Sequence, residues 1–429
     1  MDGTSPVAFV VLLDRFPTYK GKFISVTTFI SGPGDPTQRG SNRFAAVEVG
    51  TVKSYRRWKK DLEQLAKSMQ RLPGMPCRID FSDIKKATKN FDGTMKLGSG
   101  TFGSVYRCRL PAAPETGRPE MEVAVKKFTR NEDRRFDDFL EEVSVINRLR
   151  HKNIVPLIGK VLGTGRKTRM PSGWSYHGGE PLLIFELMPN GSLDQHLFHL
   201  RTPILLWDTR YAIVRDIATG LHYVHHEYEP TVLHRDIKAS NIMLDSTFGA
   251  RLGDFGIACT VPLDRNSVTG LAGTQGYIAP EYACSYRATR ETDIYAFGVV
   301  VLEIVTSRRA LDRDVPSEGH ITDWIWRFHW EGKLLDAMDP VLAMAGFDDD
   351  DAKRLMLLGL ACTNPNPSNR PSMAEVVQVI TKLKLPPTVP PKKPTFVWPP
   401  QGWNSLSSYF STETSTIYAS GSSTKARQV

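Results

Sequence analysis

The sequence predicts an α+β protein of two lobes: a small β-rich lobe carrying one key helix, and a large, mostly helical lobe. Three observations lead to this. From Met95 to Val125, short alternating runs are broken by Gly-rich turns. An amphipathic pattern follows over 136–150, and strand-like sequence then continues to Leu187. Beyond Asn190 the periodicity is helical and includes one long apolar helix over 293–307. Strands first and helices later fit segregated α+β layers. The 429 residues, 41% hydrophobic and 24% charged, have a globular composition and length enough for a large core.

Taken in order, residues 1–50 carry no motif and stay unassigned. Residues 51–90 form a basic segment. Within it, 53–72 (KSYRRWKKDLEQLAKSMQRL) has seven Lys/Arg against two acids and reads as a helix. Such a helix is either a solvated charged rod or one lying on anionic lipid, where each basic side chain contributes about 1 kcal/mol. Ser82 followed by Asp83 is expected to cap a short helix, DIKKATKNF. The large domain spans 91–383, with its small lobe at 91–188 and its large lobe at 189–383. Two stretches inside it, 111–120 and 163–180, have loop composition. The tail, 384–429, opens with PPTVPPKKPTFVWPP, whose proline density suits an extended linker, and ends in Ser/Thr-rich sequence expected to be disordered.

Charge and cysteine usage exclude several classes. Residues 1–90 hold 16 Lys/Arg against 8 Asp/Glu, whereas 91–383 hold 34 against 37. The basic excess lies on the flanks, so the large domain has no nucleic-acid footprint. Five scattered cysteines make neither a zinc-ligand pair nor a disulfide framework, which favours a reducing compartment. The early apolar run from Pro6 to Leu13 is too short to span a bilayer and lacks the flanks of a signal peptide. Residue 2 is Asp, not the Gly that myristoylation needs. As written, the chain is expected to be soluble and cytoplasmic.

The chemistry-bearing motifs begin at Gly98-Ser99-Gly100-Thr101-Phe102-Gly103. A dinucleotide-binding turn of this pattern needs a helix after it, but here the strand-like SVYRCRL follows. The loop therefore joins two strands, where glycines let backbone amides approach phosphates. Val123-Ala-Val-Lys126 is an apolar strand with one lysine, costly to bury unless its charge is paired. Its partners are a nucleotide phosphate and an acid on the amphipathic helix, with Glu142 preferred and Glu141 the alternative. His234-Arg235-Asp236-Ile-Lys238-Ala-Ser-Asn241, then Asp254-Phe255-Gly256, then Ala279-Pro280-Glu281 complete an ordered set. Any one tripeptide arises by chance; the ordered set does not.

On these motifs, residues 91–383 resemble a eukaryotic protein kinase domain. FSDIKKATKNF, MPNGSLDQHLF, HRDIKASNIMLD, ARLGDFGIA and ATRETDIYAFGVVVLE resemble plant receptor-like kinases, most nearly the lectin-type group. The chain departs from that group in lacking a lectin domain and a transmembrane helix. The resemblance implies the two-lobed kinase fold and a serine/threonine protein kinase using ATP and Mg2+. It also implies residence at the cytoplasmic face of the plasma membrane, and it gives 51–90 a juxtamembrane-like character.

It further implies roles for single residues. Leu97, Gly98, Ser99, Gly100, Thr101, Phe102 and Gly103 would cover the ATP phosphates, with Val105 and Ala124 against the adenine. Lys126 would hold the α- and β-phosphates while paired with Glu142. Phe185 resembles the gatekeeper, and the Glu186 carbonyl and Met188 amide would bond the adenine edge. Asp236 would accept the substrate proton, Lys238 would neutralise the moving phosphate, and Asn241 and Asp254 would bind magnesium. Thr274 matches the substrate-positioning threonine of serine/threonine kinases. Glu281 and Arg370 resemble a buried structural pair, and Asp293 would brace the catalytic loop. Cys259 and His151 read as structural.

Arg235, before the catalytic aspartate, implies an activation loop organised by a phosphate. Ser267, Thr269 and Thr274 are the available hydroxyls; Ser267 or Thr269 is expected to be modified, in trans between self-associated copies. The expected partner is a protein substrate with a Ser/Thr acceptor, and no nucleic acid. Two rivals remain: a pseudokinase, against which Lys126, Asp236 and Asp254 are all present, and a small-molecule kinase, against which the complete activation segment argues.

Overall fold

The computed structural model describes residue 79 and residues 81–100, 102–112, 120–129, 132–161, 182–199, 204–262, 264–311 and 319–399, with two short strands nearer the N-terminus. Those strands, β1 (Phe16–Pro17) and β2 (Phe23–Ile24), pair antiparallel within a unit formed by Met1–Ser68. All other described elements belong to the unit Met69–Val429. The 53–72 helix, Thr101 and the 163–180 insertion lie outside the described residues, as does most of 111–120.

The second unit opens with helix α1 (Phe81–Ala87). Ser82 therefore sits inside the helix instead of capping it, and the helix stops four residues short of Phe91. The cause of the early stop is local. Lys89, Asn90 and Phe91 take left-handed φ values of 50°, 61° and 58°, and Thr88 Oγ1 turns back to donate to the Ile84 carbonyl at 2.7 Å. Ile79 and Ile84 bury against Cys108, Leu110, Val123, Val125, Leu182 and Ile184, one face of a sheet. Residues ahead of the motif-bearing region thus help to close the core of the small lobe.

That sheet has five antiparallel strands: β3 (Lys96–Ser99), β4 (Gly103–Leu110), β5 (Met121–Phe128), β6 (Leu157–Val161) and β7 (Leu182–Glu186), in the order β3-β4-β5-β7-β6. Alternation along β5 sends Val123 and Val125 to the α1 face and Ala124, Lys126 and Phe128 to the other. Onto this second face packs helix α2 (Glu132–Ile146), with Phe139 edge-on to Phe128 at 5.9 Å. The helix begins four residues before the expected 136 because its first turn, Glu-Asp-Arg-Arg, has no apolar periodicity to reveal it.

The large lobe follows with α3 (Leu193–Phe198) and α4 (Trp207–His222). Four short strands come next: β8 (Val232–Leu233), β9 (Ile242–Leu244), β10 (Ala250–Leu252) and β11 (Cys259–Thr260). They pair as β8 with β11 and β9 with β10. Strand β12 (Val268–Thr269), helix α5 (Pro280–Ser285) and strand β13 (Arg287–Ala288) precede the central helix α6 (Arg290–Thr306), expected over 293–307. Every residue of α6 from Thr292 onward is buried, which explains its lack of a polar face. Around it stand α7 (Ile321–Trp330), α8 (Pro340–Ala345), α9 (Asp349–Cys362) and α10 (Met373–Ile380).

The proline-rich stretch after α10 lies along this lobe. Lys393 pairs with Asp323 at 2.5 Å, Lys392 sits 4.1 Å over the Trp330 ring, and the Pro390 carbonyl meets His329 Nε2 at 3.1 Å. Asn366 bonds both the Thr395 carbonyl and the Val397 amide. Among the described residues, no helix is long and apolar enough to cross a membrane.

Candidate active site

The site is built from the second face of the sheet, the loops after β8 and β10, and the N-terminal part of α6. Strand β5 delivers Lys126 into the interior, and α2 delivers Glu142 opposite it. Nζ of Lys126 lies 2.6 Å from Glu142 Oε2 and 2.6 Å from Asp254 Oδ1. Glu142 is therefore the helix partner, not Glu141, because it shares the buried helical face with Phe139, Val143 and Ile146. Burial works against the Lys126 ammonium, but Asp254 and Glu142 outweigh it and hold its pKa above the ordinary lysine range.

The glycine loop joins β3 to β4 as a hairpin, with Gly98 opposite Val105, Ser99 opposite Ser104, and the Gly100 amide donating to the Gly103 carbonyl at 2.9 Å. Leu97 through Gly100 are exposed, whereas Gly103 is buried so closely on the Lys127 backbone that a Cβ would not fit. Phe102 sits near Lys126, its ring centroid 5.8 Å from Nζ. Val105 faces Lys126 across the ladder, and Ala124 faces Phe185 of β7, the strand that ends at Glu186 and leads to Met188.

Between β8 and β9 the backbone is pinned by α6. Both oxygens of Asp293 work here: Oδ2 accepts the His234 amide and Oδ1 the Arg235 amide, each at 2.8 Å. His225 Nε2 adds a contact to Oδ2 at 2.9 Å. Burial opposes this charge, yet the His225 hydrogen bond and the amides keep the Asp293 carboxyl below its ordinary range. Arg235 takes φ 68°, a strained value that this clamp supports.

Asp236 follows, with both oxygens engaged. Oδ1 accepts from Thr274 Oγ1 at 2.6 Å, and Oδ2 from Lys238 Nζ at 2.8 Å. Lys238 also reaches Thr274 Oγ1 at 2.8 Å, closing a triangle. Asn241 Nδ2 donates to the Asp236 carbonyl at 2.8 Å, and its own carbonyl accepts from the Gly253 amide at 2.9 Å, beside Asp254.

The protein kinase domain model matches residues 91–380. The chain belongs to the protein kinase family. This kinase is 40% identical over 339 residues to L-type lectin-domain containing receptor kinase IX.1 of Arabidopsis thaliana, covering 78% of this chain and 49% of that protein. It is also 40% identical over 334 residues to the probable L-type lectin-domain containing receptor kinase S.5 of the same plant, covering 76% and 48%. A third relative, receptor kinase VIII.1 of this L-type lectin-domain group and also from Arabidopsis, is 40% identical over 328 residues, covering 75% and 43%. The chain spans about half the length of these relatives.

The kinase's oxygen donors suit a hard cation: the Asn241 amide and the Asp254 carboxylate lie on two stretches of backbone joined by the Gly253 amide and the Asn241 main-chain carbonyl. Among the described residues no group of three or more His, Cys, Asp or Glu could hold a metal by itself. Magnesium with phosphate and water as its other ligands fits that sparse set.

Arg235 of the kinase meets neutral acceptors. Nη2 lies 2.6 Å from the Gly270 carbonyl and 3.0 Å from Tyr282 Oη, and Nη1 lies 3.3 Å from the Ile257 carbonyl. Thr269 is exposed on β12, Ser267 is half-buried beside it, and Thr274 is held by Asp236. Burial pushes the Cys259 thiol up, against the pull of Arg235, and His151 stacks on Tyr223 at 4.8 Å.

Sequence reasoning missed two residues of this network. Tyr282 Oη accepts from Arg235 and the Ala272 amide and donates to the Gly270 carbonyl. His225 supports Asp293 from the turn, Tyr223–Glu227, that follows α4. Tyr282 directly follows Glu281, so its place beside the motif was a signal. His225, among three neighbouring histidines, gave none.

Proposed function

We propose that this kinase transfers the γ-phosphoryl group of ATP to serine or threonine hydroxyls of proteins, with Mg2+. The observation that carries the reading is the Asp236–Lys238–Thr274 triangle, with its contacts of 2.6, 2.8 and 2.8 Å. Phosphoryl transfer asks a protein for positioning and charge neutralisation more than for covalent chemistry. Asp236 orients the acceptor hydroxyl and takes its proton. Lys238 balances charge on the moving group, and Thr274 sets the acceptor's position. Lys126 holds the α- and β-phosphates beneath the loop of Leu97–Gly103. Val105 and Ala124 enclose the adenine, with the Glu186 carbonyl and Met188 amide on its edge. Asn241 and Asp254 would hold Mg2+, which neutralises phosphate charge when bound.

Phosphorylation of Ser267 or Thr269, in trans between copies, is proposed to recruit Arg235 from its neutral partners. The relatives' names support a role in receptor-like signalling. A position at the cytoplasmic face of the plasma membrane, with 53–72 against anionic lipid, extends the proposal.

The test is incubation of the purified chain with Mg2+ and labelled ATP and a casein acceptor, beside Asp236→Asn. Loss of the base is expected to lower transfer by about 10²–10⁴-fold, with ATP binding retained. Label confined to tyrosine would overturn the serine/threonine assignment. Equal transfer by both proteins would overturn the role of Asp236.

A further inference from the structure

His320 immediately precedes α7, and its two ring nitrogens face different parts of the fold. Nδ1 lies 3.2 Å from the Thr322 amide and 2.8 Å from Thr322 Oγ1, which makes His320 the N-cap of the helix. Nε2 lies 2.8 Å from the carbonyl of Gly276. An amide only donates and a carbonyl only accepts. The neutral ring with its proton on Nε2 is therefore the form that satisfies both sides at once. A cap alone accounts for Nδ1 and leaves Nε2 unexplained.

The carbonyl at the far end belongs to the loop that meets Asp236. Gly276 is two residues beyond Thr274, whose hydroxyl donates to Asp236 at 2.6 Å. Gly276 adopts φ +93°, and a Cβ there would meet Leu311 Cγ at 3.0 Å and Ala310 Cβ at 3.3 Å. The loop backbone is thus pressed on the 310–311 wall, and Leu311 in turn bridges to His320. One residue further, Tyr277 Oη lies 2.9 Å from both oxygens of Glu303, which also accepts the Ala310 amide. His320 supplies the second tether of this loop, through its backbone.

We propose that His320 is a positioning residue for the protein substrate: as the Nε2–H tautomer it ties the Thr274–Tyr277 loop to the start of α7 and so sets where the acceptor hydroxyl meets Asp236. This rests on the protein kinase reading above. Protonation would remove the Nδ1 lone pair and with it the cap. Burial lowers the His320 pKa, the Gly276 carbonyl and Asp323 oppose this, and Lys393 from the proline-rich stretch adds to it. The Nδ1 cap is accordingly intact at neutral pH and lost in acid, while the Nε2–H bond to the Gly276 carbonyl survives protonation.

His320→Asn and His320→Gln separate the two roles. Asn keeps an acceptor for the Thr322 amide but is too short to reach Gly276; Gln can extend an N–H to Gly276. With casein as acceptor, Asn is expected to raise the protein-substrate KM at least five-fold, with the ATP KM within two-fold of the parent. Gln is expected to recover most of that loss. Amide hydrogen exchange over 275–278, read on the intact chain, should quicken in Asn and not in Gln. Unchanged casein KM and unchanged exchange in Asn would overturn the proposal, as would an equal rise in the ATP KM. If the parent transfers no phosphate, the kinase reading fails by itself, and the exchange measurement alone decides the tether.

Discussion

Lys126 and Glu142 meet at 2.6 Å across the strand–helix interface of the small lobe, with side-chain exposures of 8% and 1%. Taking two charges out of water is costly, and Asp254 offsets part of that cost by supplying further negative charge to Lys126 at the same distance. Lys126→Met leaves the buried Glu142 and the half-buried Asp254 carboxylates without their cation and is expected to cost about 3–5 kcal/mol in urea denaturation. Adding Glu142→Leu should recover more than half of that cost while phosphotransfer stays absent. A single-variant cost below about 1 kcal/mol would show that the pair bears little on folding.

Asp293 controls a backbone instead of a substrate. Asp293→Asn puts an NH2 group against donors that need an acceptor, at an expected stability cost of about 1–3 kcal/mol. The displaced Asp236 should lower kcat by roughly 10–100-fold, since small misplacements of reacting groups are expensive. ATP affinity, measured by calorimetry, should hold. A parallel loss of ATP affinity would argue for a wider collapse of the site.

Glu303 predicts a pH dependence. Burial pushes its carboxyl from the ordinary 4.5 up to about 8, even though the Ala310 amide and Tyr277 hydroxyl favour the charged form. The folded state therefore binds the proton more tightly than the unfolded chain does. Its contribution is complete below about pH 4.5 and disappears as pH rises to about 8. Melting temperatures taken across pH 5–9 should fall more steeply for the parent than for Glu303→Gln. Identical slopes would falsify this assignment.

Gly298 sits where α6 crosses α9. A Cβ at this position would meet Cys362 Cβ at 2.6 Å and Thr363 Cγ2 at 2.9 Å. Helix propensity alone favours Gly298→Ala by about 1 kcal/mol. Overpacking a buried crossing costs about 1–3 kcal/mol, and because α6 is buried around Gly298 and α9 is buried at Gly359–Cys362, the steric effect should win. A lowered denaturation midpoint is expected; a raised one would mean that α9 shifts freely.

The linear chain disclosed most of the site because its chemistry is local. Asp236, Lys238 and Asn241 lie within six residues, and Asp254-Phe255-Gly256 follows closely, so hydrogen-bonding types at fixed spacing were readable without a fold. The order of strands and helices was readable too, through periodicity in the packed turns. Where a turn was polar, as at Glu132–Arg135, or where left-handed residues cut a helix short, as at Lys89–Phe91, the boundaries moved.

The order of residues along the chain sets which groups this protein brings to a reaction: a lysine on an apolar strand, a carboxylate between histidine-arginine and lysine, and two oxygen donors for a cation. Packing sets which of them meet. Glu142 instead of Glu141 reaches Lys126 because of helical phase, His320 reaches Gly276 across 44 residues, and Tyr282 and His225 join networks that no spacing announces. The physical reason is range. Propensity and patterning act over a few residues, whereas pairing a buried charge or fixing a tautomer depends on partners that only packing brings within hydrogen-bond distance.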